Sequence, residues 1–275
     1  MNRLLLIACL ALASGTAGAQ FSINLNRLVD TVKNVGKATA EIDEKEEIEL
    51  GRDMAARLLG AAPLAANDGV QRYVNNVGRW LASQTERPDL PWRFGVLEAP
   101  QLNAFATPGG HIFITRGLLA RMKNEAELAG VLAHEIAHVL KKHHLQAIQK
   151  GARLELASTA VSTLARQDRN TANREKLLAA SSELFTRGLD KSDELEADRL
   201  GVVIAARAGY DAYGLPTVLQ TLQAMNPEDS GLALMFKTHP APGERLDALE
   251  KMQPTLDAYA GQAQLVDRFE GAARR

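Results

Sequence analysis

The chain has 275 residues, 46% of them hydrophobic and 24% charged, the balance of a folded domain with a sizeable core, which excludes disorder as its main state. Its formal net charge is −1. Loss of a leader carrying Arg3 would make it more acidic still, so no basic footprint for nucleic acid is present and partners must be read from sites.

The N-terminus combines Arg3, an apolar run over 4–13 and the small-residue stretch Ala17-Gly18-Ala19. This pattern predicts a secretory signal peptide over 1–19, cleaved after Ala19. The run is shorter than the ~20 apolar residues of a spanning helix. The only cysteine, Cys9, lies inside it, so a processed chain forms no disulfide and must hold any metal with His and carboxylates. Leu6-Ile7-Ala8-Cys9 also has the form of a lipobox. In that alternative Cys9 is lipidated, and this is the one route to membrane association.

Residues 20–46 read as a helical extension, with an acidic run over 41–49 that suits a solvated helix start. Apolar spacing through Ile48, Met54, Leu58 and Leu59 predicts a helix ending near Gly60, and Asn67 or Asp68 can cap a second through Val70, Val74, Val77 and Leu81. Over 91–115 the β-branched and aromatic residues, punctuated by Pro and Gly, predict three short strands in an antiparallel meander turning at Pro108-Gly109-Gly110. Asn124 can cap a long helix over 126–146. Helical sequence follows over 152–186, broken around 167–173, then at 192–208, 213–224 and 244–252, with a Pro-rich loop at 226–243. The polar last twenty residues read as a frayed tail. The fold class is therefore α+β, mostly helical.

His134-Glu135-Ile136-Ala137-His138 carries the chemistry. Helical positions i and i+4 share a face, so His134 and His138 can aim two imidazoles at one point, with Glu135 near enough to reach a water on the metal. This is the H-E-x-x-H arrangement of zinc hydrolases. The apolar frame of Val131, Leu132, Ile136, Ala137, Val139 and Leu140 strengthens it, since two solvent-seeking His need a reason to be there. Catalytic zinc wants a third protein ligand and an open position. Glu194 and Asp198, again i and i+4, supply candidates: one carboxylate for the metal, the other to orient a ligand imidazole. On spacing, Glu196 points away from them.

These residues resemble the zinc metallopeptidases that include the CAAX prenyl endopeptidase and HtpX. The resemblance runs over 47–252 and rests on Asn103-Ala104-Phe105-Ala106-Thr107-Pro108-Gly109-Gly110, the H-E-x-x-H helix, Glu194-Leu195-Glu196-Ala197-Asp198, and Thr238-His239-Pro240 followed by Arg245. It implies a gluzincin-type metallopeptidase domain with a small antiparallel sheet beside the active-site helices. It also implies one Zn2+ per chain with Glu194 as third ligand, and Asp198 supporting a ligand from behind. Without the family's transmembrane helices, the chain is similar to the soluble periplasmic branch typified by BepA and LoiP. Endopeptidase activity in the periplasm, on misfolded or misassembled envelope proteins, is the implied function.

His239, on a Pro-flanked loop, can donate to the oxyanion of the tetrahedral intermediate or occupy the open zinc position at rest. The resemblance also implies that the strand over Gly110, His111, Ile112, Phe113 and Ile114 pairs as an edge with extended substrate. His143 and His144, beside Lys141 and Lys142, read as favourable cations at a helix C-terminus. The stretch over 152–189 could cover the cleft. Two rival readings stay open: a chaperone-like protein that retains a zinc site with little proteolysis, and a closed structural zinc site.

Overall fold

The computed structural model describes residues 42–159, 188–226 and 231–273. The expected leader, nearly all of the N-terminal extension and most of the 152–189 stretch lie outside those residues. Helix α1 (Glu44–Ala61) starts where the Asp43 side chain accepts the Glu46 amide at 2.8 Å. Asn67 in turn caps α2 (Asp68–Ala82) by accepting from Val70 N. Both helices arise where apolar spacing and a capping side chain agree.

Strands β1 (Arg93–Leu97), β2 (Ala104–Thr107) and β3 (His111–Thr115) form a sheet of order β1-β3-β2. β2 and β3 are an antiparallel hairpin, pairing Ala104 with Ile114 and Thr107 with His111. Its turn needs glycine, because Gly109 and Gly110 have φ of 73° and 99°. The meander is corrected on β1, which runs parallel to β3 in the register Arg93 to His111. The cause is burial: Ile112, Phe113, Ile114 and Thr115 are all buried, as a strand covered on both faces and both sides requires. The link over 98–103 carries the chain past the place beside β1, and β3 fills it.

After the short α3 (Arg116–Leu119), α4 (Glu125–Leu140) runs through the centre of the molecule, and every one of its residues is buried. Asn124 caps it by accepting from Glu127 N at 2.9 Å. It is packed by α2, β2, α6 (Lys191–Arg207) and α7 (Gly214–Gln223). Glycines permit this closeness. A β-carbon on Gly201 of α6 would lie 2.8 Å from His134 N, and one on Gly130 would lie 2.5 Å from Leu215 N.

The single long helix expected over 126–146 is two. α4 ends at Leu140, Lys142 takes φ +57°, and a separate helix α5 (His143–Thr159) begins. A left-handed lysine costs about 1–2 kcal/mol. Its ammonium lies 3.4 Å from buried Glu47, which also takes Arg87 and the Gly109 amide.

Three short helices follow, α8 (Ala233–Thr238), α9 (Pro242–Glu250) and α10 (Gln253–Asp257), then α11 (Val266–Ala273). α8 interrupts the loop expected over 226–243. The frayed tail is also corrected: α11 packs on α2 and α4, with Phe269 only 1% exposed and its ring 6.4 Å from that of Tyr73. One apolar anchor in a polar segment holds it there.

Candidate metal centre

On α4 the one-turn spacing brings His134 and His138 together, with their Nε2 atoms 3.1 Å apart. α6 contributes Glu194, whose Oε2 lies 3.6 Å from His134 Nε2 and whose Oε1 lies 3.5 Å from His138 Nε2. His239, just after α8, places Nδ1 2.8 Å from Glu194 Oε2. One donor atom from each of these four residues lies within 4.8 Å of the others.

The donor set suits zinc. Tetrahedral zinc with bonds of about 2.0–2.2 Å separates its ligand atoms by roughly 3.3–3.6 Å, close to the spacings around Glu194. Glu194 Oε1 is buried and accepts no hydrogen bond, a costly state for a carboxylate oxygen that a cation would relieve. Burial alone would raise the Glu194 pKa, but His239, His138 and His134 hold it well below the usual carboxylate range. The group is an anion ready for a cation.

Each ring is held from behind. His134 Nδ1 donates to Asp198 Oδ1 at 2.9 Å. Asp198 is gripped in turn by Arg245, through Nε to Oδ2 at 2.8 Å and Nη2 to Oδ1 at 2.5 Å. Burial and Arg245 both work against a charged His134, yet the bonds to Asp198 and Glu194 outweigh them and bring its pKa to about 9. The sequence flagged Arg245 without a task; here it neutralises the buried Asp198. Asn103 reaches across to the hydroxyl of Thr238, beside His239, at 3.3 Å. Two of the motif segments therefore touch.

His143 and His144 are corrected. They do not face solvent at a helix end: their rings pack 5.1 and 5.3 Å from that of His138. His143 is 3% exposed, and burial drives His144 down to about 3, so it is neutral. The left-handed turn at Lys142 folds them under the ligand helix. Glu196, as its spacing implies, stands outside the donor set. It lies 3.3 Å from His143 Nε2 and 3.0 Å from Lys141 Nζ.

Glu135 is 2% exposed, and burial pushes its carboxyl up, toward the range where a carboxylate serves as a base near neutrality. With Ala104, His134, His239 and Arg245 it borders an apolar pocket whose walls include Leu118, Val131, Leu215, Leu219 and Met235.

The edge-strand expectation for Gly110, His111, Ile112, Phe113 and Ile114 is overturned. β3 is the central strand, so β1 and β2 already occupy both of its hydrogen-bonding sides. Gly110 is a turn residue whose missing side chain makes room for Trp92. β2 is one of the two outer strands, and its Ala104 reaches the pocket.

The model of peptidase family M48 matches residues 69–253. The beta-barrel assembly-enhancing protease of Yersinia pestis is 30% identical over 85% of this chain and 49% of its own. Its namesake from Escherichia coli K12 is 30% identical over 79% of this chain and 46% of its own. The mitochondrial metalloendopeptidase OMA1 of Schizosaccharomyces pombe is 29% identical over 66% of this chain and 52% of its own. The chain thus spans about half the length of these curated relatives. With the family model covering well over half of the sequence and its donor cluster buried at the centre of the fold, the chain belongs to peptidase family M48.

Proposed function

We propose that the chain is a zinc-dependent endopeptidase in which His134, His138 and Glu194 hold one zinc ion and Glu135 is the catalytic base. The observation that carries this reading is the donor set with its unsatisfied Glu194 Oε1, next to the Glu135 carboxyl that burial raises on the helix of His134 and His138. Bound there, zinc supplies a Lewis acid that polarises the scissile carbonyl and acidifies water. Glu135 takes the water proton and returns it to the leaving amine. Asp198, backed by Arg245, keeps the His134 proton on Nδ1 and its Nε2 lone pair toward the metal.

Extended substrate pairs with β2 rather than β3. Thr115 N bonds Asn103 O, so Phe105 and Thr107 also turn their backbone groups to β3, and Ala106 and the Ala104 carbonyl turn outward, the Ala104 amide donating to Asn103 Oδ1 at 3.0 Å. The apolar pocket beside Ala104 receives a side chain next to the cleaved bond. The peptidase unit occupies 47–252. Polypeptides of the cell envelope, misfolded or misassembled, are the substrate class supported by the names of the bacterial relatives and by the leader-like N-terminus. The leader-like pattern over 1–19 supports a periplasmic location. No helix among the described residues is long and apolar enough to cross a membrane.

His239 favours a second, narrower reading. Its Nδ1 joins the donor set through Glu194, which suits a fourth ligand of a resting centre; as an oxyanion donor it would have to turn away. A centre permanently closed by four protein ligands is structural rather than catalytic. Zinc content and casein cleavage, measured on the purified wild type, Glu135→Gln and Glu194→Ala, separate these readings. Wild type should hold one zinc and cleave. Glu135→Gln should keep zinc and lose roughly 10²-fold or more in rate, whereas Glu194→Ala should lose zinc. Cleavage by Glu135→Gln at the wild-type rate would remove the base assignment. Zinc without any cleavage by the wild type would favour the closed centre.

A further inference from the structure

We infer that His143, backed by Glu196, is a positioning residue that fixes the ring of His138 for metal binding. The inference rests on the reading of His138 as a ligand and extends it to residues outside the H-E-x-x-H motif. His138 has two ring nitrogens with different surroundings. Nε2 faces His134 Nε2 and Glu194 Oε1 at 3.1 and 3.5 Å, while Nδ1 faces His143 Nδ1 at 3.0 Å. A ligand nitrogen must present a lone pair, so the proton of a neutral His138 belongs on Nδ1.

That assignment fixes the next link. His138 Nδ1 donates, so His143 Nδ1 accepts, and the proton of His143 sits on Nε2. There Glu196 Oε2 lies 3.3 Å away to receive it. Lys141 holds the other Glu196 oxygen at 3.0 Å. Every polar atom along the chain from Lys141 to His138 then has one role, and reversing any link leaves two donors or two acceptors facing each other.

The two ligand rings are therefore supported in different ways by one turn of α6. Glu194 reaches the donor set itself, Asp198 takes the Nδ1 proton of His134 directly, and Glu196 takes that of His138 through His143. The backbone serves this arrangement. The left-handed Lys142 breaks the helix between α4 and α5, and Glu47 anchors that turn through the Lys142 ammonium. A continuous helix would have carried the residue at 143 more than one turn beyond His138, on a face about 140° away.

The test compares zinc affinity, by chelator competition on metal-free protein, with the thermal midpoint of the same metal-free protein. His143→Phe keeps a ring and removes both nitrogens; His143→Asn restores an acceptor near the Nδ1 position. His143→Phe should weaken zinc binding by roughly 10–100-fold and alter the visible absorption of the cobalt-substituted protein, and His143→Asn should recover most of that loss. Glu196→Ala should give a smaller loss in the same direction, because its half-exposed carboxylate can be replaced by water. Wild-type zinc affinity in His143→Phe would overturn the inference. So would equal losses in the Phe and Asn variants accompanied by equal drops in the metal-free midpoint, the signature of packing alone. A wild type that takes up no zinc overturns the metal reading and this inference together. Zinc uptake without proteolysis removes only the endopeptidase reading.

Discussion

Gly201 of α6 passes so close to His134 of α4 that a β-carbon at position 201 would lie 2.8 Å from the His134 amide nitrogen and 2.9 Å from its α-carbon. The helix that brings Glu194 and Asp198 to the centre is thus seated directly on the backbone of the residue they serve. Neither contact atom belongs to a side chain that could swing aside.

Two opposing effects decide the outcome of Gly201→Ala. Alanine favours a helix by about 1 kcal/mol over glycine, but overpacking against backbone costs typically about 1–3 kcal/mol. The clash should win, because relief requires α6 to move away from α4 and take both carboxylates with it. Denaturant unfolding should show a net loss of up to about 2 kcal/mol, with weaker zinc binding in chelator competition. Gly60→Ala is the control: a β-carbon there meets nothing within 4 Å, so that variant should be neutral or slightly more stable. Gly201→Ala matching the control would mean the helices are not in close register.

Arg245→Met tests the charge pair behind His134. Asp198 is fully buried, and Arg245 is 4% exposed; removing one partner of such a pair leaves an uncompensated charge worth about 3–5 kcal/mol. Asp198→Asn should cost a comparable amount, since it leaves the buried Arg245 unpaired and sets an amide NH2 against one of the guanidinium donors. The double variant Asp198→Asn/Arg245→Met should be more stable than the sum of the two single losses implies. Strict additivity in urea unfolding would show that the bidentate contact contributes little.

The legible part of the site was the part written in helical spacing. His134 and His138 follow from i and i+4, and the resemblance in the Glu194 to Asp198 segment selected the right turn of α6. Arg245 stood in a recognised segment, but nothing in a sequence tells that its guanidinium crosses 47 positions to Asp198. His143 was misread because its place depends on one left-handed lysine, and Lys142 carries no glycine or asparagine signal for that conformation. The strand order failed for a related reason. Apolar His111–Thr115 is as compatible with an edge in a meander as with a centre, and only the buried surroundings on both sides distinguish them. For α11 the signal was a single side chain, Phe269, too little to outweigh a polar composition.

His239→Ala separates the two tasks considered for that residue. The 2.8 Å contact from its Nδ1 to Glu194 Oε2 supports a resting centre with four donors. Loss of the ring should weaken zinc binding while leaving casein cleavage undiminished or raised, because one position of the centre is then always open. A fall in kcat of roughly 10²-fold at full zinc content would instead identify an oxyanion donor and exclude the resting-ligand role.

Acid stability should report on Glu125, far from the metal site. This fully buried carboxylate opens α4, accepts Tyr73 and Tyr210 hydroxyls at 2.7 Å each, and takes Arg268 from α11 through Nε at 2.5 Å. Burial alone would raise its pKa, yet Arg268 and the two hydroxyls hold it below the ordinary carboxylate range. In the unfolded chain the carboxyl takes up its proton near that ordinary value, so between the two values the unfolded state binds more protons and stability rises with pH. The Glu125 contribution should therefore be complete above about pH 5.5 and disappear as pH falls through the lowered folded value. Urea unfolding of wild type and Glu125→Gln across pH 3 to 7 reads this directly. The difference between them should be constant at the upper end and shrink in acid; parallel curves throughout would show that Glu125 titrates alike in both states. On the alkaline side the same cluster acts with the opposite sign. Tyr73 and Tyr210 are both raised, by burial first and by Glu125 next, so the unfolded tyrosines ionise first and stability should decline above about pH 10.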